Sequence, residues 1–216
     1  MKLFMIRGCT IFILISAEIV LAEDSVGDVF LQFDSGASLS RNLRHDYQND
    51  IGNSLVIAAG AKYQIIPKLK LGANFTYRTV FKYNHSLIHP ENSKIYHVNQ
   101  KGSIYSTMLN GSYDLVNFID KVTLYSEVGA GLSHIKLGSY TMTEGGETTF
   151  STNGKNINNF TWSAGLGSSF QLDQKYSIHF AYRYIDFGKI ETAIYDVNEK
   201  GKVTANEVLV SLRLKL

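Results

Sequence analysis

The chain has 216 residues and a formal net charge of +2, with 21 Lys and Arg against 19 Asp and Glu. A charge so near zero, without a clustered basic face, argues against nucleic acid as a partner. The single cysteine, Cys9, lies near the N-terminus, which excludes a disulfide framework and a cysteine metal site in the rest of the chain.

The first 22 residues have the pattern of a secretory signal. A basic start is followed by the apolar run Ile11–Ala17, which is much shorter than the about 20 residues of a spanning helix. Val20 and Ala22 supply small residues at the −3 and −1 positions of a cleavage site. We therefore predict a signal peptide over 1–22 and one mature domain over 23–216.

The mature chain alternates apolar residues with polar or small ones, which is the period of a strand with two different faces. In the clearest example, Leu71, Ala73 and Phe75 share one face while Gly72 and Asn74 share the other. Similar alternation recurs eight times along the chain. The predicted strands are 28–38, 54–65, 69–81, 102–114, 121–135, 159–173, 175–187 and 203–216.

The connections between these strands alternate in length. Four polar connections are long, namely 39–53, 82–101, 136–158 and 188–202. Three are short, namely 66–68, 115–120 and 173–174. Long loops at one end and short turns at the other are typical of an outer-membrane barrel, whose long loops face outside and whose turns face the periplasm. We therefore predict an all-β fold, an eight-stranded antiparallel transmembrane β-barrel with long extracellular loops and short periplasmic turns.

A soluble sandwich would also show alternating strands, with the apolar face turned inward. Three features favour the membrane: strands of about ten residues or more, many small residues on the polar face, and aromatic residues toward strand ends. The aromatic residues expected to form interfacial girdles are Tyr77, Phe81, Tyr105, Tyr113, Phe160, Tyr182 and Tyr184. The cell outer membrane is thus the expected location and its lipid bilayer the first expected partner.

The segment Glu207–Leu216 has apolar residues at every second position. It resembles the terminal targeting strand by which the barrel-assembly machinery recognises outer-membrane proteins, although such strands usually finish in Phe and this one finishes in Leu216. The resemblance implies that machinery as a second partner.

Two short stretches resemble a known group of proteins. Residues 181–189, Ala-Tyr-Arg-Tyr-Ile-Asp-Phe-Gly-Lys, are similar to the seventh strand of small alphaproteobacterial outer-membrane proteins of the opacity-like and rickettsial surface antigen type. Residues 127–132, Glu-Val-Gly-Ala-Gly-Leu, are similar to their fifth strand. The resemblance implies an outer-membrane barrel of a Gram-negative bacterium, and some members of the group act as adhesins.

An eight-stranded barrel has an interior only wide enough for its own side chains. The alternation turns ten charged residues inward: Asp34, Lys62, Lys70, Arg78, Asp114, Glu127, Arg183, Glu207, Arg213 and Lys215. Lys62, Arg78, Glu127 and Arg183 are the candidate lumen charge cluster. Because buried charges must be paired or solvated, the cluster forms either an ion-paired plug or a narrow gated pore, with Glu127 and Arg183 as a possible switchable pair.

No catalytic constellation emerges from the sequence. Ser133 and His134 are adjacent and so point to opposite faces of a strand, and His179 faces inward without an evident serine partner. The loop histidines match no standard metal spacing, so we expect no cofactor and no enzymatic activity. The first hypothesis is a surface barrel with a structural or adhesin-like role through loops that contact a host-surface ligand. A narrow low-conductance porin and a hydrolase at the barrel rim remain as alternatives.

Overall fold

The computed structural model describes residues 26–41, 50–51, 53–88, 95–119, 121–144, 147–194 and 197–216. The predicted signal peptide, residues 1–22, lies outside this part of the chain and stays a prediction. No helix among the described residues is both long enough and apolar enough to span a membrane.

The described chain consists of strands joined by turns. Their bounds are β1 Val29–Arg41, β2 Asp50–Ile51, β3 Ser54–Ile66, β4 Leu69–Ile88, β5 Ile95–Ile119, β6 Val122–Leu137, β7 Tyr140–Glu144, β8 Glu147–Thr152, β9 Lys155–Gln171, β10 Tyr176–Ile194 and β11 Val197–Lys215.

Eight of these strands form a closed antiparallel barrel. Around the ring the order is β1-β3-β4-β5-β6-β9-β10-β11, and β11 returns to β1. The pairing of β4 with β5 joins the two ends of what would otherwise be an open sheet. Closure pairs the backbone of every barrel strand on both sides, which a sheet exposed to hydrocarbon requires. The predicted fold class is confirmed.

The strands continue further than the alternation predicted. The β4–β5 hairpin pairs as far as Ile88 with Ile95, and the β10–β11 hairpin as far as Ile194 with Val197. The strands β7 and β8 lie within the stretch predicted as the loop 136–158, and most of the stretch predicted as the turn 115–120 belongs to β5. These boundaries were wrong because alternation marks only the part of a strand with one face in lipid, whereas hydrogen-bonded pairing continues beyond it.

The two faces of the barrel have opposite chemistry. The outward face carries the exposed large apolar side chains, among them Phe33, Leu55, Ile57, Phe75, Leu109, Val128, Leu132, Phe160, Leu166, Phe180 and Val208. The inward face carries most of the buried polar and charged ones, among them Asp34, Lys62, Arg78, Ser106, Asn110, Thr161, His179, Arg183, Glu207, Ser211 and Arg213. A soluble sandwich would have the reverse arrangement, so the outer surface is suited to lipid and the interior is filled by polar side chains.

We call the end of the barrel that carries the long hairpins the hairpin end, and the opposite end, with the three short turns, the turn end. Near the hairpin end, two irregularities change which residues of a strand face inward. In β4 the register with β5 shifts between Arg78 and Phe81. A bulge inserts an extra residue and so changes which side chains face inward. Phe81 is therefore buried at 5% exposure, and its predicted place in the outer aromatic girdle was wrong. The second irregularity lies in β10 between Asp186 and Lys189.

Candidate functional site: the barrel interior

A buried carboxylate shared by two arginines occupies the middle of the lumen. Glu207 accepts a hydrogen bond from Nε of Arg78 at 2.6 Å and one from Nε of Arg183 at 2.7 Å. Arg78 also donates through Nη1 to Oγ of Ser106 at 2.7 Å. All three charged side chains are at most 4% exposed. Glu207 and Arg183 are direct neighbours across β11 and β10, whereas Arg78 reaches Glu207 from β4, three strands away around the ring.

A second group of ion pairs lies nearer the turn end. The ammonium of Lys62 pairs with Glu127, and Lys70 pairs with Asp114 at 2.5 Å. A small cavity beside the first pair is lined by Asp34, Lys62 and Glu127 together with neutral side chains, and it has room for about one water molecule. Together with the shared carboxylate, these pairs form what we call the ion layer: Lys62, Lys70, Arg78, Asp114, Glu127, Arg183 and Glu207.

The structure thus brings all four candidate lumen residues into the interior, but with other partners than the sequence suggested. Glu127 pairs with Lys62, and Arg183 pairs with Glu207. Glu127 and Arg183, suggested from the sequence as a possible switchable pair, are not paired with each other, because each has a nearer counter-ion inside the barrel. Lys215, predicted to face inward, lies at the turn end with its side chain 36% exposed and pairs with Asp28 at 2.6 Å.

Toward the hairpin end the lumen is apolar. The side chains there, which we call the apolar layer, are Phe81, Ile104, Met108, Ile135, Leu137, Ile185, Phe187, Val203 and Ala205. The guanidinium carbon of Arg78 lies 4.6 Å from the ring centroid of Phe187, a cation–π contact that joins the two layers. Gly102 leaves space for Phe81, since a Cβ at that position would lie 2.6 Å from its ring. The interior is therefore filled by two layers of different chemistry.

The bulge from Asp186 to Gly188 lies where the ion layer meets the apolar layer. Gly188 has a φ of 82°, a conformation that side-chain-bearing residues rarely adopt. Its N–H donates to Oδ1 of Asp186 at 2.9 Å, and Oδ2 of Asp186 lies 2.5 Å from the ammonium of Lys202. Asn159 on β9 donates to the carbonyl of Phe187 at 2.9 Å. These contacts fix the bulge and keep the ring of Phe187 in the lumen.

One close pair of polar residues was missed from the sequence. Oγ of Ser177 lies 2.8 Å from Nε2 of His179, with both side chains in the lumen near the turn end. The signal was available, because residues two apart on a strand share a face. Among the residues that the structure describes, Nδ1 of His179 has no hydrogen-bond partner, whereas in a serine hydrolase a carboxylate orients this ring. No cluster of three or more potential metal ligands occurs among the described residues.

The comparison with protein families decides the identity of the fold. Residues 12–215 match the family described as outer membrane protein β-barrel domain. The chain belongs to this family. It is an outer-membrane protein, and its eight barrel strands cross the bilayer with the apolar face toward lipid.

Two similar proteins illustrate the family. The chain is 35% identical over 99 residues to outer membrane protein PagN of Salmonella typhimurium, which is 44% of this chain and 39% of PagN. It is 27% identical over 158 residues to "Putative adhesin RC1281" of Rickettsia conorii, which is 73% of this chain and 62% of that protein. Both matches cover less than two thirds of the relative.

Among solved structures, Neisserial surface protein A superposes with a TM-score of 0.50 at 18% identity, covering 87% of this chain and 97% of the other. At this level of identity the superposition shows the shared fold alone. The resemblance to alphaproteobacterial surface proteins that residues 127–132 and 181–189 suggested is confirmed by the family match and the rickettsial relative.

Proposed function

We propose that the protein is a surface adhesin, a rigid barrel whose hairpin end binds a ligand on a host cell, and that it acts by binding rather than by catalysis. The observation that carries this proposal is the filled interior. Among the described residues, the ion layer and the apolar layer fill the lumen with side chains, and the cavity beside Lys62 and Glu127 has room for about one water molecule. Such packing supports binding at the surface over passage of a solute. The adhesin name of the rickettsial relative supports the same role.

The strands at the hairpin end form an extended sheet that is large enough to serve as a binding surface. Beyond the bulge in β4, the β4–β5 hairpin continues through seven further residue pairs, from Lys82 with Lys101 to Ile88 with Ile95. The strand β7 adds to its edge by pairing with β5, and β8 adds to β7. A rigid scaffold that carries variable connections is the usual location of binding residues. We expect this sheet and the β10–β11 hairpin to carry the contacts.

Loop shortening tests the proposal directly. In one variant Lys82 is joined to Lys101 by Asn-Gly, which forms a two-residue hairpin turn; a second variant replaces Asp173-Gln174 at the turn end by Asn-Gly. Both are displayed on a bacterium that does not adhere, and heat-modifiable migration on a gel verifies that each barrel is folded. We expect the first variant to lose host-cell binding and the second to retain it. Equal binding by both variants would contradict the proposal.

The porin alternative is tested with the same preparations. The filled lumen predicts no steady conductance in planar bilayers for the intact protein. A conductance that disappears in Glu127→Gln or Arg183→Gln would instead support the narrow pore and count against a purely adhesive role.

We further propose that β11 is the strand that the barrel-assembly machinery recognises. Its outward face presents Val208, Val210 and Leu212 at alternate positions, each about half exposed. Replacing all three by Ser should reduce the amount of folded protein in the outer membrane. Replacing three outward residues of β3, Leu55, Ile57 and Ala59, by Ser is the matched control, and an equal loss there would contradict a special role for β11.

A further inference from the structure

The outward face of β5, β6 and β9 changes abruptly in chemistry near the hairpin end. One row of paired residues is Thr107, Leu132 and Phe160, and its two large side chains are more than 60% exposed and apolar. The next outward row toward the hairpin end is Tyr105, His134 and Asn158, and the one after it is Ser103, Lys136 and Asn156. Because aromatic and polar residues concentrate where hydrocarbon meets head groups, these two rows mark the level at which the hydrocarbon of the outer leaflet ends and its head groups begin.

Two exposed lysines lie together at this boundary. Ser103 on β5 pairs directly with Lys136 on β6, and Lys101 is two residues before Ser103 on the same face. Lys101 and Lys136 are therefore diagonal neighbours on adjacent strands. Such residues are about 7–8 Å apart, so that two long side chains can reach the same ligand. Among the described residues no ion pair involves either of them, in contrast to the lysines of the lumen, which pair with carboxylates.

The surroundings of the two lysines are ordered by neighbouring side chains. The ammonium of Lys136 lies 5.2 Å from the ring centroid of Tyr105, and that ring stacks on Tyr77 with centroids 4.9 Å apart. Nδ1 of His134 lies 2.6 Å from Oδ1 of Asn158. The surface thus combines two cations that have no ion-pair partner among the described residues, a platform of aromatic rings and polar groups, directly above apolar side chains in contact with lipid chains.

We propose that this surface, formed by Lys101, Tyr105, His134, Lys136 and Asn158, binds the phosphate-bearing head group of a lipid in the outer leaflet. Charge complementarity identifies the ligand: two adjacent ammonium groups, which have no carboxylate partner among the described residues, attract an anion, and a compact phosphate suits lysine. The two lysines lie next to the lipid-facing surface of the barrel, which indicates that the anion is part of a lipid. Acyl chains of the same lipid would pack on Leu132 and Phe160. The inference does not depend on the proposed adhesion.

The single tryptophan of the chain offers a direct readout. Trp162 lies on the same outward face of β9, pairs with Ala130 and contacts Tyr184 with centroids 5.5 Å apart. The full barrel is folded into neutral phosphatidylcholine vesicles that contain increasing mole fractions of bisphosphorylated lipid A. Tryptophan emission and the midpoint of the heat-induced gel shift are recorded. We expect both to change with saturation in the wild-type protein.

The double variant Lys101→Gln/Lys136→Gln should need about tenfold more lipid A for half the effect, since each lysine near an anionic surface contributes appreciably to binding. The matched control is Lys68→Gln/Lys175→Gln, which removes two exposed lysines at the turn end and should behave as wild type. The heat-induced gel shift in pure phosphatidylcholine verifies folding of both. Should either double variant fail to fold, the single variants Lys136→Gln and Lys68→Gln replace them.

Two further lipids and inorganic phosphate separate the sources of phosphate. An effect of lipid A without any effect of phosphatidylglycerol identifies a glycolipid, and equal effects identify phosphate-bearing lipids in general; both support the proposal. Dephosphorylated lipid A that acts as well as the phosphorylated form would overturn it. So would the same response to inorganic phosphate in neutral vesicles, or an unchanged response of Lys101→Gln/Lys136→Gln.

Discussion

The two layers of the lumen solve the same packing problem by opposite means. The ion layer fills the interior with charged side chains, each of which needs a partner in a specific place, such as Glu207 between Arg78 and Arg183. The apolar layer fills it with side chains that need only shape, such as Phe81 and Phe187. A misplaced partner in the ion layer leaves a buried charge, whereas a misplaced apolar side chain leaves a gap.

The difference indicates a division of tasks. Arg78 connects β4 to β11 across the lumen, so the ion layer fixes which strands face each other and in which register. The apolar layer lies between this network and the hairpin end, where it excludes water from the buried ion pairs. Since a dry surrounding strengthens the attraction between paired charges and makes an unpaired charge costly, the two layers depend on each other.

The largest effect should come from breaking the ion layer at its centre. Glu207→Gln leaves two buried guanidinium groups without a counter-charge, and the loss of one partner in a buried ion pair costs about 3–5 kcal/mol. Urea-induced unfolding in lipid vesicles, followed by heat-modifiable migration, measures the loss. Asp114→Asn is the control, because that carboxylate is 24% exposed; we expect it to cost about 1 kcal/mol or less.

A triple variant sharpens this test. Arg78→Met, Arg183→Met and Glu207→Leu together replace the shared carboxylate and its two arginines by apolar side chains that extend the apolar layer. Replacement of a complete buried ion network by apolar residues is often neutral, so the triple variant should recover most of the stability lost in Glu207→Gln. Persistent instability would mean that the hydrogen bonds themselves, and not the absence of uncompensated charge, stabilise this part of the barrel.

The next effect should come from the apolar layer. Phe187→Ala removes a ring that is 1% exposed and contacts Arg78, and such truncations cost about 3 kcal/mol. Phe160→Ala is the control, because Phe160 is 63% exposed on the outward face and lipid can refill the space. Equal losses in the same unfolding measurement would show that the layer is loosely packed.

The ion layer was largely accessible to sequence reasoning, and the apolar layer was not. Strict alternation places Lys62, Arg78, Glu127 and Arg183 on inward faces, because a period of two fixes the direction of each side chain once the strand is recognised. It does not say which strands meet across the lumen. The pairing of Arg78 on β4 with Glu207 on β11 is therefore visible only in the closed barrel, whereas Arg183 and Glu207 are neighbours on adjacent strands.

The apolar layer depends on bulges, at which the inward-facing positions of a strand change from one alternate set of residues to the other. The alternation in the sequence does not reveal where these bulges occur. Phe81 continues the outward series of Phe75 and Tyr77, and only the bulge after Arg78 turns it inward. The bulge in β10 had a local signal, a glycine after the Asp186-Phe187 pair, but a glycine in a strand also has other causes. The pair of Ser177 and His179 required only that residues two apart share a face, and it could have been predicted.

A smaller effect should follow from straining the bulge between the layers. Gly188→Ala places a side chain at a φ of 82°, which costs about 1–2 kcal/mol, and its Cβ would lie 3.0 Å from Asn159. Gly111→Ala is the control, because its Cβ would meet only the flexible end of Leu71 at 3.2 Å. If the unfolding midpoints of both variants shift equally, the left-handed conformation is not the source of the loss.

The smallest effect should lie outside both layers, in the turn between β9 and β10. The backbone N–H groups of Lys175 and Tyr176 donate to Oδ1 of Asp173 at 2.8 and 2.7 Å and lower the pKa of this exposed carboxyl below its ordinary 3.8. A lowered pKa stabilises the folded state above pH 3.8, and the contribution disappears as the pH falls through the native pKa. The difference in unfolding midpoint between wild type and Asp173→Ala should therefore be present at neutral pH and decrease on acidification. Gln174→Ala should show no such trend, and a parallel trend in both variants would assign the pH dependence to the ion layer instead.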